Sequence, residues 1–210
     1  MICYDPCMRY QLPRIIRIVF GVLGISSIAL EIITLSSENV FHAVNFFSFF
    51  TVISNILASS YLIYFGITNN YSVPSQVFRG VVTLYMLMTG AIFALLLSGL
   101  ENVRLTAVPW DNTVLHYIMP IVVVLDWLLL PPKKPLKRSV ILLWITVPVI
   151  YVVYTMIRGA FVNWYPYPFL NPSNSSLMQV VLTCIVIAVI GVIAACLLRG
   201  VTVRGTKTSR

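Results

Sequence analysis

The chain has 210 residues, of which 59% are hydrophobic and only 10% charged. So few charges cannot cover a water-soluble globule, which excludes a soluble enzyme or nucleic-acid-binding domain and sets an integral membrane protein. The net charge of +8 is accounted for by membrane topology and anionic headgroups, since no soluble basic domain exists to hold a nucleic acid.

Six apolar stretches follow one another, at about 12–35, 44–67, 77–99, 112–130, 138–158 and 177–198. Each is close to the ~20 residues needed to cross ~30 Å of hydrocarbon as a helix. The fold class is therefore all-α: a polytopic six-transmembrane-helix bundle forming one domain over residues 1–210. Connections are short, the longest being 159–176, and there is no internal repeat. The first stretch is too long for a signal-peptide core and lacks a small-residue cleavage site before Glu38, so it is expected to stay in the mature protein. With the N-terminus in the cytoplasm, Arg9, Arg14, Arg17, Arg79, Lys133, Lys134, Lys137, Arg138, Arg199, Arg204, Lys207 and Arg210 fall inside and only Arg104 and Arg158 outside. The positive-inside rule thus predicts both termini cytoplasmic and a multi-pass protein of the cell membrane.

In the first span, Gly21 and Gly24 offer a surface for close helix approach. The second span carries Asn45, Ser48, Thr51, Asn55 and Ser59 at intervals of three and four, which puts them on one helical face turned into the bundle. For Ser48 and Ser59, hydrogen bonding between helices or back to the helix itself is the better account. The fourth span contains His116 followed by Pro120. Proline has no amide hydrogen, so the carbonyl four residues back, that of His116, is expected to lose its partner and the helix to kink there. His116 and Thr51 enter from the same side at similar depth, about 6 and 10 Å from the starts of their spans at 1.5 Å per residue. A titratable imidazole level with a buried hydroxyl suggests an intramembrane reaction site; the alternative is an interfacial histidine bonded to a neighbouring helix or headgroup.

Asp126, near the inner end of the fourth span, is expected to pair with the basic turn around Lys133–Arg138, and Arg158 with Asp111 or Glu101 or else with a substrate carboxylate. The run Tyr165-Pro-Tyr167-Pro-Phe169 cannot form a regular helix and suits a cap over the outer mouth or an aromatic anchor. In the last span Gly191 and Ala195 make a further small-residue pair. Cys3 and Cys7 fall on the reducing side, while Cys184 and Cys196 suit packing in an apolar helix. His42 and His116 lack partners at ligand spacing, so neither a metal nor another cofactor is expected.

Phe-Phe-Thr51 on the second helix, His116 with Pro120 on the fourth, Pro148-Val-Ile-Tyr151, and Trp164-Tyr-Pro166-Tyr-Pro168-Phe-Leu170 occur in that order over residues 45–170. Their succession on a six-span chain resembles the androgen-induced and androgen-dependent TFPI-regulating protein family and its bacterial relatives. Eukaryotic members are membrane threonine hydrolases that cleave fatty acid esters of hydroxy fatty acids. The resemblance implies Thr51 as nucleophile and His116 as base.

The chemistry requires this kind of pair, because an alcohol is a weak nucleophile at neutral pH and needs a base within hydrogen-bond reach. Asn55, one turn below Thr51, is the nearest oxyanion donor candidate, with Asn45 and Arg158 as others. Asp126 lies about 15 Å deeper than His116 and cannot orient it; Asp111 and Glu31 lie nearer its level. The expected function is an intramembrane lipid ester hydrolase whose partners are membrane lipids and the ester substrate. The rival classes are a small-solute transporter and a non-catalytic lipid-binding scaffold. Against transport stand the missing inverted repeats, acidic relay and obvious broken helices.

Overall fold

The structure is a computed structural model that describes residues 6–99, 106–132 and 134–207, with side chains described from 13 to 202 within those ranges. Cys3, Glu101, Arg104, Lys133 and Arg210 lie outside the described residues. Among the described residues 80% are helical and none is in a strand. In chain order the elements are α1 (Pro6–Ser37), α2 (Ala43–Phe46), α3 (Phe50–Thr68), α4 (Val73–Ile92) prolonged by a π turn (Phe93–Leu97), α5 (Pro109–Thr113), a second π turn (Val114–Ile118), α6 (Met119–Leu129), α7 (Val140–Val162), a 3-10 turn (Pro168–Leu170) and α8 (Leu177–Lys207). Among the described residues six helices are long and apolar enough to cross a membrane: Pro13–Ser37, Phe50–Thr68, Val73–Leu97, Pro109–Leu129, Val140–Val162 and Leu177–Thr202.

The second span differs from its sequence reading. A continuous helix from residue 44 was expected, but the chain breaks between α2 and α3, and regular helix starts only at Phe50. The break is held from outside. The Tyr151 hydroxyl donates to the Ser48 carbonyl at 2.9 Å, and the Val52 amide, which that carbonyl would accept in an α-helix, bonds Phe49 instead at 3.1 Å. The polar stripe is therefore divided: Thr51, Asn55 and Ser59 share α3, whereas Asn45 sits in α2 and Ser48 in the break. A broken span was not evident in the sequence. At the other ends of α3 and α7, Asn69 and Asn163 adopt left-handed conformations at φ 51° and 52°, which asparagine tolerates and which stop a helix.

α1 packs along α3, and Gly21 is what allows it. A Cβ there would stand 2.7 Å from Ile63 Cγ1 and 2.8 Å from the Ser59 carbonyl oxygen. The pairing expected at Gly191 is looser, since a Cβ there meets only Met88 at 3.4 Å. Trp127 and Trp144 are fully buried and meet edge to face. Their indole N–H groups bond the carbonyls of Leu198 and Val77 at 3.1 and 3.0 Å, tying α6 to α8 and α7 to α4.

Among the described residues Asp126 pairs not with the basic turn after α6 but with cations of other helices. It pairs with Arg17 of α1 at 2.7 Å and with Arg79 of α4 at 2.8 Å. Both guanidinium groups are buried and lie over the Phe65 ring, Arg17 at 4.4 Å and Arg79 at 5.5 Å from its centroid. Helix packing brings these distant cations to the carboxylate while Lys134 and Lys137 stay exposed, and in low dielectric each buried guanidinium needs an opposite charge.

Candidate active site

The start of α3 and the second π turn come together in the half of the bundle opposite Asp126. Thr51 lies in the first turn of α3, and its Oγ1 is 3.3 Å from His116 Nε2. His116 Nδ1 is 3.2 Å from the carbonyl oxygen of Asn112. A carbonyl only accepts, so Nδ1 carries the proton and Nε2 is left as the acceptor. Thr51 therefore donates to the imidazole. Its oxygen is also 3.2 Å from the Tyr167 hydroxyl, and that hydroxyl accepts the Thr51 backbone N–H, again at 3.2 Å. One set of directions satisfies every contact: Tyr167 O–H to Thr51 Oγ1, Thr51 O–H to His116 Nε2, and His116 Nδ1–H to Asn112.

The π turns position the ring. In the turn after α5, the Met119 amide reaches back five residues to the Val114 carbonyl. In that register Pro120 faces the Leu115 carbonyl, and Asn55 Nδ2 supplies the missing donor at 3.1 Å. The carbonyl that gains a side-chain partner is thus Leu115's rather than His116's, because the extra residue in the turn shifts the register by one. Phe93, in the π turn after α4, stacks on His116 with centroids 4.2 Å apart and planes 23° apart. The imidazole is clamped between Thr51 and Phe93.

Of the other residues expected at this site, none touches the Thr51 hydroxyl. Asn55 uses its amide hydrogens on the carbonyls of Thr51, at 2.9 Å, and Leu115, so it ties helices together instead of pointing a donor at a reacting atom. Asn45 accepts from Arg158 at 2.7 Å. Arg158 also lies 5.0 Å from the Trp164 ring centroid, and its partner is therefore Asn45 rather than Asp111. Neither Asp111 nor Glu31 orients His116; the Asn112 carbonyl occupies that place.

Tyr167 was read in the sequence as part of a mouth cap. It is buried, turned inward on Thr51, stacked on Phe169 at 5.3 Å and edge-on to Phe49 at 5.7 Å. Burial pushes its phenol above the ordinary value while its bonds to Thr51 pull the other way, so it is held as a protonated donor at neutral pH. The sequence signal is the pair of flanking prolines, which fix the backbone around one ring. Tyr151 and Asn112 had no such signal, since their parts depend on the break in the second span and on the π turn.

Thr51 also faces a cavity of about 370 Å³ between α3, α4, α7, α8 and the 163–170 segment. Its wall is almost entirely apolar, with Leu84, Met88, Ile145, Val152 and Ala188 among its residues. Val149 and Val153 of α7 and Val181 and Ile185 of α8 border the cavity and are about half exposed on the lipid-facing surface. The cavity thus opens sideways between those two helices. His116 lies behind Thr51, outside the cavity wall. Among the described residues no three His, Cys, Asp or Glu side chains gather so that they could hold a metal ion. No protein-family model, curated protein or solved structure matches the chain.

Proposed function

We propose that the chain is an intramembrane lipid ester hydrolase of the cell membrane, with both termini cytoplasmic, in which Thr51 is the nucleophile and His116 the general base. The observation that carries this reading is the hydrogen-bonded series from Tyr167 through Thr51 and His116 to Asn112, ending at an apolar cavity with a lateral opening. A hydroxyl used only for packing needs neither a dry imidazole with one fixed tautomer nor a lipid-accessible void in front of it. The resemblance to the threonine hydrolases of fatty acid esters of hydroxy fatty acids supports the same assignment.

The reaction would run in two halves. A lipid ester enters between α7 and α8 with its carbonyl carbon against Thr51 Oγ1. Thr51 attacks as His116 Nε2 takes its proton, giving a tetrahedral oxyanion. The Tyr167 hydroxyl, 3.2 Å from Thr51 Oγ1, would donate to that charge, and the partial positive charge at the N-terminal end of α3 would favour it. Collapse expels the alcohol, which takes the proton back from His116 and leaves acyl-Thr51. Water then gives its proton to His116, attacks the acyl carbon, and releases the fatty acid as Thr51 is re-protonated.

The test is turnover by purified protein in lipid nanodiscs with a fatty acid ester of a hydroxy fatty acid. Wild type should release acid and alcohol in equal amounts, and Thr51→Ala and His116→Ala should each abolish release without loss of folded protein. Their effects should not add, because the two groups act as a unit. Equal rates in all three proteins would exclude the dyad.

A further inference from the structure

The cavity in front of Thr51 decides what can reach an acyl group held there. Four side-chain hydroxyls lie in its wall, those of Thr51, Thr89, Tyr151 and Tyr167, and no charged residue does. Each hydroxyl hydrogen already has an acceptor. Tyr167 donates to Thr51 at 3.2 Å and Thr51 to His116 at 3.3 Å, while Tyr151 donates to the Ser48 carbonyl at 2.9 Å. Ser54 uses its own hydrogen on the Thr51 carbonyl at 3.1 Å, so Thr89 is the donor to Ser54 at 2.9 Å. The other wall side chains end in carbon or sulfur.

With a volume of about 370 Å³ the cavity has room for water but gives it little to bond. A buried water is kept by about two to four polar partners, and apolar cavities that lack them stay dry. The opening between α7 and α8, bordered by Val149, Val153, Val181 and Ile185, faces hydrocarbon. A lipid reaches Thr51 through it directly, whereas water must first leave its own hydrogen bonds to cross an apolar medium.

We propose that acyl-Thr51 passes its acyl group to the hydroxyl of a second lipid, which makes the site a lipid transacylase with hydrolysis as the minor outcome whenever a lipid alcohol is present. This rests on the reading of Thr51 as nucleophile and His116 as base. The acceptor is an alcohol borne on a hydrocarbon chain, bound by the same apolar burial that holds the donor ester. It enters the place that the first alcohol vacates. Its oxygen bonds the acyl carbon as its proton goes to His116 Nε2; the acyl C–O bond to Thr51 then breaks, and Thr51 Oγ1 takes the proton from His116. One ester is consumed and another formed, one alcohol is exchanged for another, and no water, oxidant or reductant enters.

The experiment uses the full chain in phosphatidylcholine nanodiscs, in water enriched in oxygen-18. The donor is a fatty acid ester of a hydroxy fatty acid with a labelled acyl group, the acceptor is deuterated hexadecanol in the bilayer, and mass spectrometry separates the doubly labelled ester from oxygen-18 fatty acid. Wild type should form the new ester in roughly tenfold excess over the free acid, because the acceptor is held against the acyl carbon and water is not. Thr51→Ala should form neither product. Met88→Gln puts a free amide donor into the wall with little change in shape, and it should move the ratio severalfold toward the free acid by giving water a partner. Val152→Asn does the same from α7 and decides if Met88→Gln fails to fold. Free acid without the new ester in wild type would overturn the transfer and leave the hydrolase reading standing, and a ratio unmoved in both wall variants would overturn the argument from a dry cavity. Neither product in wild type would contradict the dyad itself, and the transfer would fall with it.

Discussion

Asn55→Ala probes how the bundle holds its candidate dyad. The Asn55 side chain is completely buried and donates to the carbonyls of Thr51 at 2.9 Å and Leu115 at 3.1 Å. Deleting it strands the Leu115 carbonyl, and an unsatisfied buried acceptor costs about 1–3 kcal/mol. Hydrogen bonds between membrane helices average only about 0.6 kcal/mol, with a maximum near 1.7, because neighbouring groups substitute. Here the backbone offers no substitute, since Pro120 has no N–H, so the cost should lie toward the upper figure. It is offset in part because Asn55 Oδ1 itself has no donor and leaves with the side chain. Pro120→Ala restores the missing N–H, and in that background Asn55→Ala should cost about 1 kcal/mol less. Reversible unfolding in mixed micelles, followed by tryptophan fluorescence over the complete double-mutant cycle, measures the difference. Additivity within about 0.3 kcal/mol would refute the argument that Asn55 serves the carbonyl facing the proline.

Tyr167→Phe removes the phenolic donor while keeping the ring stacked on Phe169; kcat for ester hydrolysis should fall about 10²–10³-fold with KM unchanged, the signature of lost oxyanion stabilisation. Asp126→Asn leaves two buried guanidinium groups without their counter-charge, and unfolding free energy in micelles should drop by about 3–5 kcal/mol. Ala188 lines the apolar cavity, so Ala188→Trp should raise KM for long-chain esters while leaving turnover of a short soluble ester near that of wild type. Equal effects on both esters would place the acyl chain elsewhere.

The six apolar helices were legible from composition and length because the bilayer imposes both on any helix that crosses it. Thr51 and His116 could be paired because direction along the chain sets depth, and depth is a count of residues. The positioning devices could not be read this way. The break before Phe50 contains neither proline nor glycine and depends on Tyr151, some hundred residues later, bonding the Ser48 carbonyl. Likewise, the π turn at Val114–Ile118 changes which carbonyl Pro120 exposes, and no local residue announces it. Asp126 was assigned to nearby lysines because they are close in sequence, whereas helix packing delivers Arg17 and Arg79. Tyr167 was visible as a rigid, proline-flanked ring, but its inward direction is set by the packing of Phe49 and Phe169.

Covalent trapping tests whether Thr51 is a nucleophile activated by His116. Purified protein is treated with a lipid-like fluorophosphonate, which forms a P–O bond with an activated hydroxyl as fluoride leaves, and the adduct is located by peptide mass spectrometry. An adduct should form on Thr51 in wild type, roughly a hundredfold or more slower in His116→Ala, and be absent in Thr51→Ala. Labelling that leaves Thr51 unmodified, or that proceeds at the same rate without His116, would contradict that role.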